Sequence, residues 1–198
     1  MAHRKLPYII LGAVLLIITL VLSYELNRTI VIAADSDLYL EQEENFTFSE
    51  FRSKKVQYLV LHCTASQAGV DHNKKWFLDF FKNERKFSRP GYNIIIAPNG
   101  RKDTLVRFDN DGYVQFDELA NGVAGHNSVC IHISYQGGID RYGNPKDTRT
   151  PSQKKAIEEE VRNTKLKFPW IKVKGHNEFA KKACPSFNVR QEYAIYNN

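Results

Sequence analysis

Hydrophobic and polar positions divide the 198-residue chain into three parts: an apolar run near the N-terminus, a polar stretch, and a region of alternating short apolar and amphipathic segments. Residues 7–24 (PYIILGAVLLIITLVLSY) contain no charge. As a helix rising about 1.5 Å per residue the run covers roughly 27 Å, close to the hydrocarbon thickness of a bilayer. Tyr8 and Tyr24 bracket it as interfacial aromatics do. Arg4 and Lys5 precede it, whereas Glu25 and Arg28 follow with no net positive charge. The positive-inside rule therefore predicts a cytoplasmic N-terminus at 1–6, a membrane anchor at 7–24 and an extracytoplasmic remainder. A cleaved signal peptide is the first alternative and a buried core helix the second. Signal h-regions run about 7–15 residues, shorter than this one. The best cleavage position, after Ala34, has Ile32 where a small residue is wanted.

Residues 25–54 read as a polar linker without a sustained period, carrying glycosylation sequons at Asn27 and Asn45. The texture then changes. The apolar run 56–62 suits a buried strand. Over 71–86 the spacing of Trp76, Phe77, Phe80 and Phe81 predicts a helix packed on a sheet. Pro90-Gly91 breaks the chain, and 92–97 (YNIIIA) returns as a strand. A turn at Pro98-Asn99-Gly100 leads to a second hairpin arm at 104–108. A further strand spans 129–135 (VCIHISY), before Gly137-Gly138. Thr150-Pro-Ser-Gln153 is a capping box with proline at the first helical position. Ile157, Val161, Thr164 and Phe168 continue that helix on one face, and 171–174 forms the last strand. The order predicts an α/β (α+β) domain over 55–198, a central mixed sheet flanked by helices.

Charge narrows the functional classes. Twenty-eight basic against 22 acidic residues give +6, with no run of five or six like charges, so a nucleic-acid partner is not expected. The 25% charged fraction, 7 Pro and 11 Gly exclude a collagen-like or wholly disordered chain. Cys63 and Cys130 fall on strands that can be neighbours, where they either pair in an oxidising compartment or stay as buried thiols.

Three sets of residues fall at predicted strand ends. They are His62 with Cys63 and Thr64, then Tyr92, then the loop GHNEFAKKACPSF carrying His176, Lys182 and Cys184. Singly, each has a structural reading: a hydrogen-bonded strand-end histidine, a core aromatic, a small buried thiol. Together, two histidines and a cysteine are ligand types that zinc accepts, and three protein ligands leave a fourth position for water. Cys63 beside His62 suggests a Cys-His hydrolase, but strand neighbours point to opposite faces.

Residues 56–189 resemble the zinc-dependent N-acetylmuramoyl-L-alanine amidases, the family of amidase-type phage lysozymes and peptidoglycan recognition proteins. The matching stretches are LVLHCTAS (59–66), GYNIII (91–96), GHNSVCI (125–131), GGID (137–140) and GHNEFAKKACPSF (175–187). The resemblance implies that His62, His176 and Cys184 bind Zn²⁺. It puts the Tyr92 hydroxyl beside the reacting water and the Lys182 cation next to the scissile carbonyl. His126 and Asn127 resemble a segment at the rim of the substrate groove, to which Thr64 is also assigned. It further implies hydrolysis, by zinc-activated water, of the amide between the lactyl group of N-acetylmuramic acid and L-alanine in peptidoglycan. The expected location is the periplasmic side of a bacterial inner membrane, with the N-terminal helix in the bilayer, or a secreted form if that helix is cleaved. Two rivals remain: a wall-binding sensor of the same fold, and a hydrolase using Cys184 as nucleophile with His176.

Overall fold

In a computed structural model the described residues are Thr19, Leu22, Phe48, 51–109 and 111–197. Apart from Thr19 and Leu22, the expected span 7–24 lies outside them, as do both sequons. Among the described residues no helix is long and apolar enough to cross a membrane.

The described strands are β1 Lys54–Lys55, β2 Tyr58–Cys63, β3 Ser66–Gln67, β4 Ile94–Ile96, β5 Lys102–Thr104, β6 Tyr113–Val114, β7 Cys130–Tyr135, β8 Gly138–Ile139 and β9 Lys172–Gly175, the apolar runs forming β2, β4 and β7. From residue 51 onward the described α-helices are α1 Lys74–Asp79, α2 Pro151–Lys167 and α3 Val189–Glu192. Five strands form the main sheet in the order β5-β4-β7-β2-β9, parallel except for the β4–β5 hairpin. The mixed α/β architecture expected from the sequence is the one observed.

Strand alternation gives the sheet two unlike faces. Leu59 and Leu61 of β2, with Ile131, Ile133 and Tyr135 of β7, share the larger core with Ala156, Ile157 and Val161 of α2. Each leucine, isoleucine or valine among them, fully buried, contributes about 1.5–3 kcal/mol. The opposite face carries the polar alternates, and the in-register pairs Val60↔His132 and His62↔Ser134 bring two histidines and a serine side by side. Helix α2 begins as expected. Thr150 Oγ1 accepts the Gln153 N–H at 3.1 Å, and Gln153 Oε1 accepts the Thr150 N–H at 3.0 Å.

Several expectations need correction. The domain begins before residue 55: Phe51 is buried and packs edge-on against Phe116, and β1 pairs with β6. The second hairpin arm is Lys102–Thr104 rather than 104–108. Ala97 N–H reaches Arg101 O across a tight turn, and the N–H groups of Leu105 and Val106 both point at Asn93 O, a bulge that ends the ladder. The helix expected over 71–86 is α-helical only to Asp79 and then widens into a π turn, Phe80–Glu84. Phe77 and Phe81 are buried, but Trp76 is 41% exposed and stacks on His72 at 3.7 Å. The strands of Cys63 and Cys130 are neighbours, yet the two thiols cannot pair. Cys63 sits opposite Tyr135 and Cys130 opposite Tyr58, five positions apart and on opposite faces.

Candidate metal centre and active site

The parallel strands β2 and β9 deliver their histidines at the same edge of the sheet. His62 is the fifth residue of β2, and His176 follows β9 directly. The loop after His176 closes on itself where the Asn177 N–H donates to Cys184 O at 2.9 Å. Gly175 permits that closure, since a Cβ there would stand 2.5 Å from Asn177 Oδ1. Tyr135 adds a second tether by donating its hydroxyl to Pro185 O at 2.9 Å. Cys184 Sγ thereby comes to lie 3.8 Å from His62 Nδ1, and His62 Nδ1 stands 3.2 Å from His176 Nδ1.

These three donor atoms lie within 4.8 Å of one another. With metal–nitrogen and metal–sulfur bonds near 2.05 and 2.3 Å, a tetrahedral ion needs N···N edges of about 3.3 Å and N···S edges of about 3.6 Å. The observed 3.2 and 3.8 Å match two of the three edges, and the remaining His176–Cys184 edge lies within the 4.8 Å span of the set, wider than a bound ion would draw it. Two imidazoles and a thiol can therefore hold a metal ion with one position open.

Burial sets the protonation of the donors. Desolvation holds His176 down to about 4. His62 lies well below its ordinary value, first through desolvation and then through His176 and His132, so both imidazoles are neutral and offer lone pairs. The Cys184 thiol is pushed well above its ordinary value, first by its contact with Cys63 and then by burial, while Lys182 pulls the other way. A bound cation reverses that balance, because a coordinating thiol is deprotonated.

The remaining sequence candidates divide. Tyr92 is half-buried beside the donors, its ring centroid 5.1 Å from that of His62 and its hydroxyl donating to Cys63 O at 3.4 Å. Burial, with the neighbouring cysteines second, raises its pKa and keeps the hydroxyl protonated. Lys182 is half-buried on the metal loop, close enough for its charge to bear on Cys184. Thr64 lines a small hollow that Tyr92 also faces, and its Oγ1 accepts the Gly137 N–H at 3.1 Å. His126 is exposed against Phe179, whereas Asn127 turns inward and its Oδ1 accepts the Val123 N–H at 2.8 Å.

One residue at the site escaped the sequence reading. His132 is wholly buried on β7, its Nδ1 3.1 Å from His62 Nε2. The available signal was a polar side chain inside the apolar run VCIHISY, in register with the strand of His62.

No protein-family model matches the chain. It is 31% identical over 140 residues to the endolysin of Enterobacteria phage K11, covering 71% of this chain and 86% of that protein. The chain belongs to the phage endolysin family. Within it, the fold is that of the amidases and peptidoglycan recognition proteins. The N-acetylmuramoyl-L-alanine amidase LysC from Clostridium intestinale URNW matches with TM-score 0.55 and 17% identity over 78% of this chain and 95% of that one. Drosophila PGRP-LB matches with TM-score 0.54 and 17% identity over 72% and 84%.

Proposed function

We infer that this endolysin-family chain is an N-acetylmuramoyl-L-alanine amidase, hydrolysing the amide between the lactyl group of N-acetylmuramic acid and L-alanine in peptidoglycan. The observation that carries the reading is the convergence of His62, His176 and Cys184, whose donor atoms lie within 4.8 Å of one another, with Tyr92 and Lys182 beside them. The donor set suits zinc, which when bound supplies a Lewis acid and a water that ionises near neutral pH. His62, His176 and Cys184 hold the ion. Tyr92 stays protonated at working pH and donates a hydrogen bond toward the oxygen of the carbonyl under attack. Lys182 sets a fixed cation where negative charge develops on that oxygen. The sheet edge excludes water from the inner side of the site, because His62 and His176 are 1% and 7% exposed.

The apolar run at 7–24, with its flanking charges, supports the further proposal of an N-terminal membrane anchor that holds the domain on the wall side. Alkaline extraction of membranes from cells expressing the full chain tests it: an anchored chain stays in the pellet, and a chain lacking 1–24 does not.

Mass spectrometry of purified peptidoglycan digested with the protein tests the activity. Free stem peptides beginning with L-alanine and glycan strands bearing bare lactyl carboxylates are expected. New reducing-end sugars would point to glycosidic cleavage instead, and tight wall binding with no products would point to a sensor.

A further inference from the structure

His132 lies behind His62, on the side away from Cys184 and His176. Its ring is wholly buried, and its Nδ1 makes the 3.1 Å hydrogen bond to His62 Nε2. The surroundings fix the ring in place. The His132 N–H donates to Asn93 Oδ1 at 2.8 Å, and the Asn93 N–H donates to His132 O at 2.9 Å. On the other side the chain passes so close that a Cβ on Gly122 would stand 2.4 Å from His132 Nδ1. Nothing larger than glycine fits beside this ring without moving it.

The hydrogen bond has two possible proton arrangements. In one, His62 carries its proton on Nε2 and donates to His132 Nδ1, leaving its own Nδ1 lone pair free toward the metal site. In the other, His132 donates from Nδ1, and the His62 proton stands on Nδ1, where it blocks ligation. The first arrangement places the His132 proton on Nε2, a buried atom with no hydrogen-bond partner among the described residues. Leaving a buried donor unpaired costs about 1–3 kcal/mol, a cost that ligation of an ion at His62 Nδ1 would offset. Metal-ligating histidines commonly give their second N–H to a carboxylate or a carbonyl. A neutral imidazole instead orients the ligand without adding negative charge, so the ion retains the charge left by two imidazoles and one thiolate.

We propose that His132 is a positioning residue that sets the tautomer of His62, accepting its Nε2–H so that Nδ1 faces the metal. The proposal rests on the reading of His62 as a ligand. Its test uses the full chain in detergent. Zinc affinity is measured by chelator competition for wild type, His132→Leu and His132→Asn, the last keeping an acceptor oxygen near the position of Nδ1. Long-range ¹H–¹⁵N spectra of the zinc-loaded wild type report the tautomers directly. The leucine variant is expected to bind zinc about 10- to 100-fold more weakly, as loss of such outer partners usually does, and asparagine to recover most of that loss. The wild-type spectrum is expected to show His62 protonated on Nε2 and His132 Nδ1 unprotonated. Unchanged affinity in a folded leucine variant overturns the proposal. So does a protonated His132 Nδ1 in the wild type, a readout that stands even if the leucine variant fails to fold. A wild-type chain that takes up no stoichiometric zinc overturns the metal reading itself, and this proposal with it.

Discussion

The thiol of Cys184 accepts the backbone N–H of Cys63 at 3.3 Å. That bond ties the third donor to the end of the strand that supplies the first, because Cys63 follows His62 on β2. An N–H aimed at sulfur favours the thiolate, the form a metal requires. Cys184→Ser keeps the shape of the site and removes the soft ligand. Elemental analysis of the purified variant is expected to show zinc lost, with amidase activity abolished and the melting temperature of the metal-free protein nearly unchanged.

Tyr92 touches the site without being one of its three donors. Tyr92→Phe is expected to lower kcat by about 10²-fold, the usual cost of one lost donor at a developing oxyanion, while bound zinc stays stoichiometric. Parallel kinetics and metal analysis on the same preparation check both halves of that expectation.

The loop bearing Cys184 is braced from behind. The Arg149 guanidinium stacks 3.3 Å from the Phe187 ring centroid and forms ion pairs with Asp147 and Glu192, its own side chain only 1% exposed. Arg149→Met keeps the stem but loses the fork. Chemical denaturation is expected to show a loss of about 2 kcal/mol, given that hydrogen bonds to charged groups are worth about 1.5–3 kcal/mol and that both carboxylates are partly solvated. Arg149→Lys is expected to recover little, because an ammonium cannot engage two carboxylates in a planar fork.

Acid should weaken the metal-free fold through its buried histidines. Burial holds His176 to about 4 and His132 to about 3, against 6.5 for the free side chain, with His62 also well below. Between about pH 6.5 and 4 the unfolded chain therefore binds more protons than the folded one, and stability falls as pH falls. Each histidine contributes up to about 1.4 kcal/mol per pH unit across its window. Denaturation midpoints measured with chelator present are expected to be flat above pH 7 and to drop steadily below 6.5. Flat midpoints down to pH 4.5 would contradict the buried neutral state.

The order of elements and the grouping of candidate donors in one loop were legible because they depend on local pattern. Short apolar runs marked β2 and β7, the capping box marked α2, and the loop at 175–187 kept His176, Lys182 and Cys184 within nine residues. What escaped depends on register. His132 becomes a partner of His62 only because β2 and β7 pair with Val60 opposite His132, and Cys63 parts from Cys130 through the same alignment. The burial of Phe51 depends on a contact with Phe116, 65 positions away, which no local period reports. Trp76 follows the helical period of Phe77 and Phe81, yet that period does not say which aromatics of the run stay exposed.

His62, His176 and Cys184 are proposed to hold the zinc that would make this domain an amidase. The most direct test incubates the protein with purified peptidoglycan and measures newly freed L-alanine amino groups with chelator, without it, and after zinc is restored. Release is expected to stop on chelation, to return with zinc and to be absent in His176→Ala. Release that ignores the chelator would contradict the proposed zinc site and would favour Cys184 as a nucleophile.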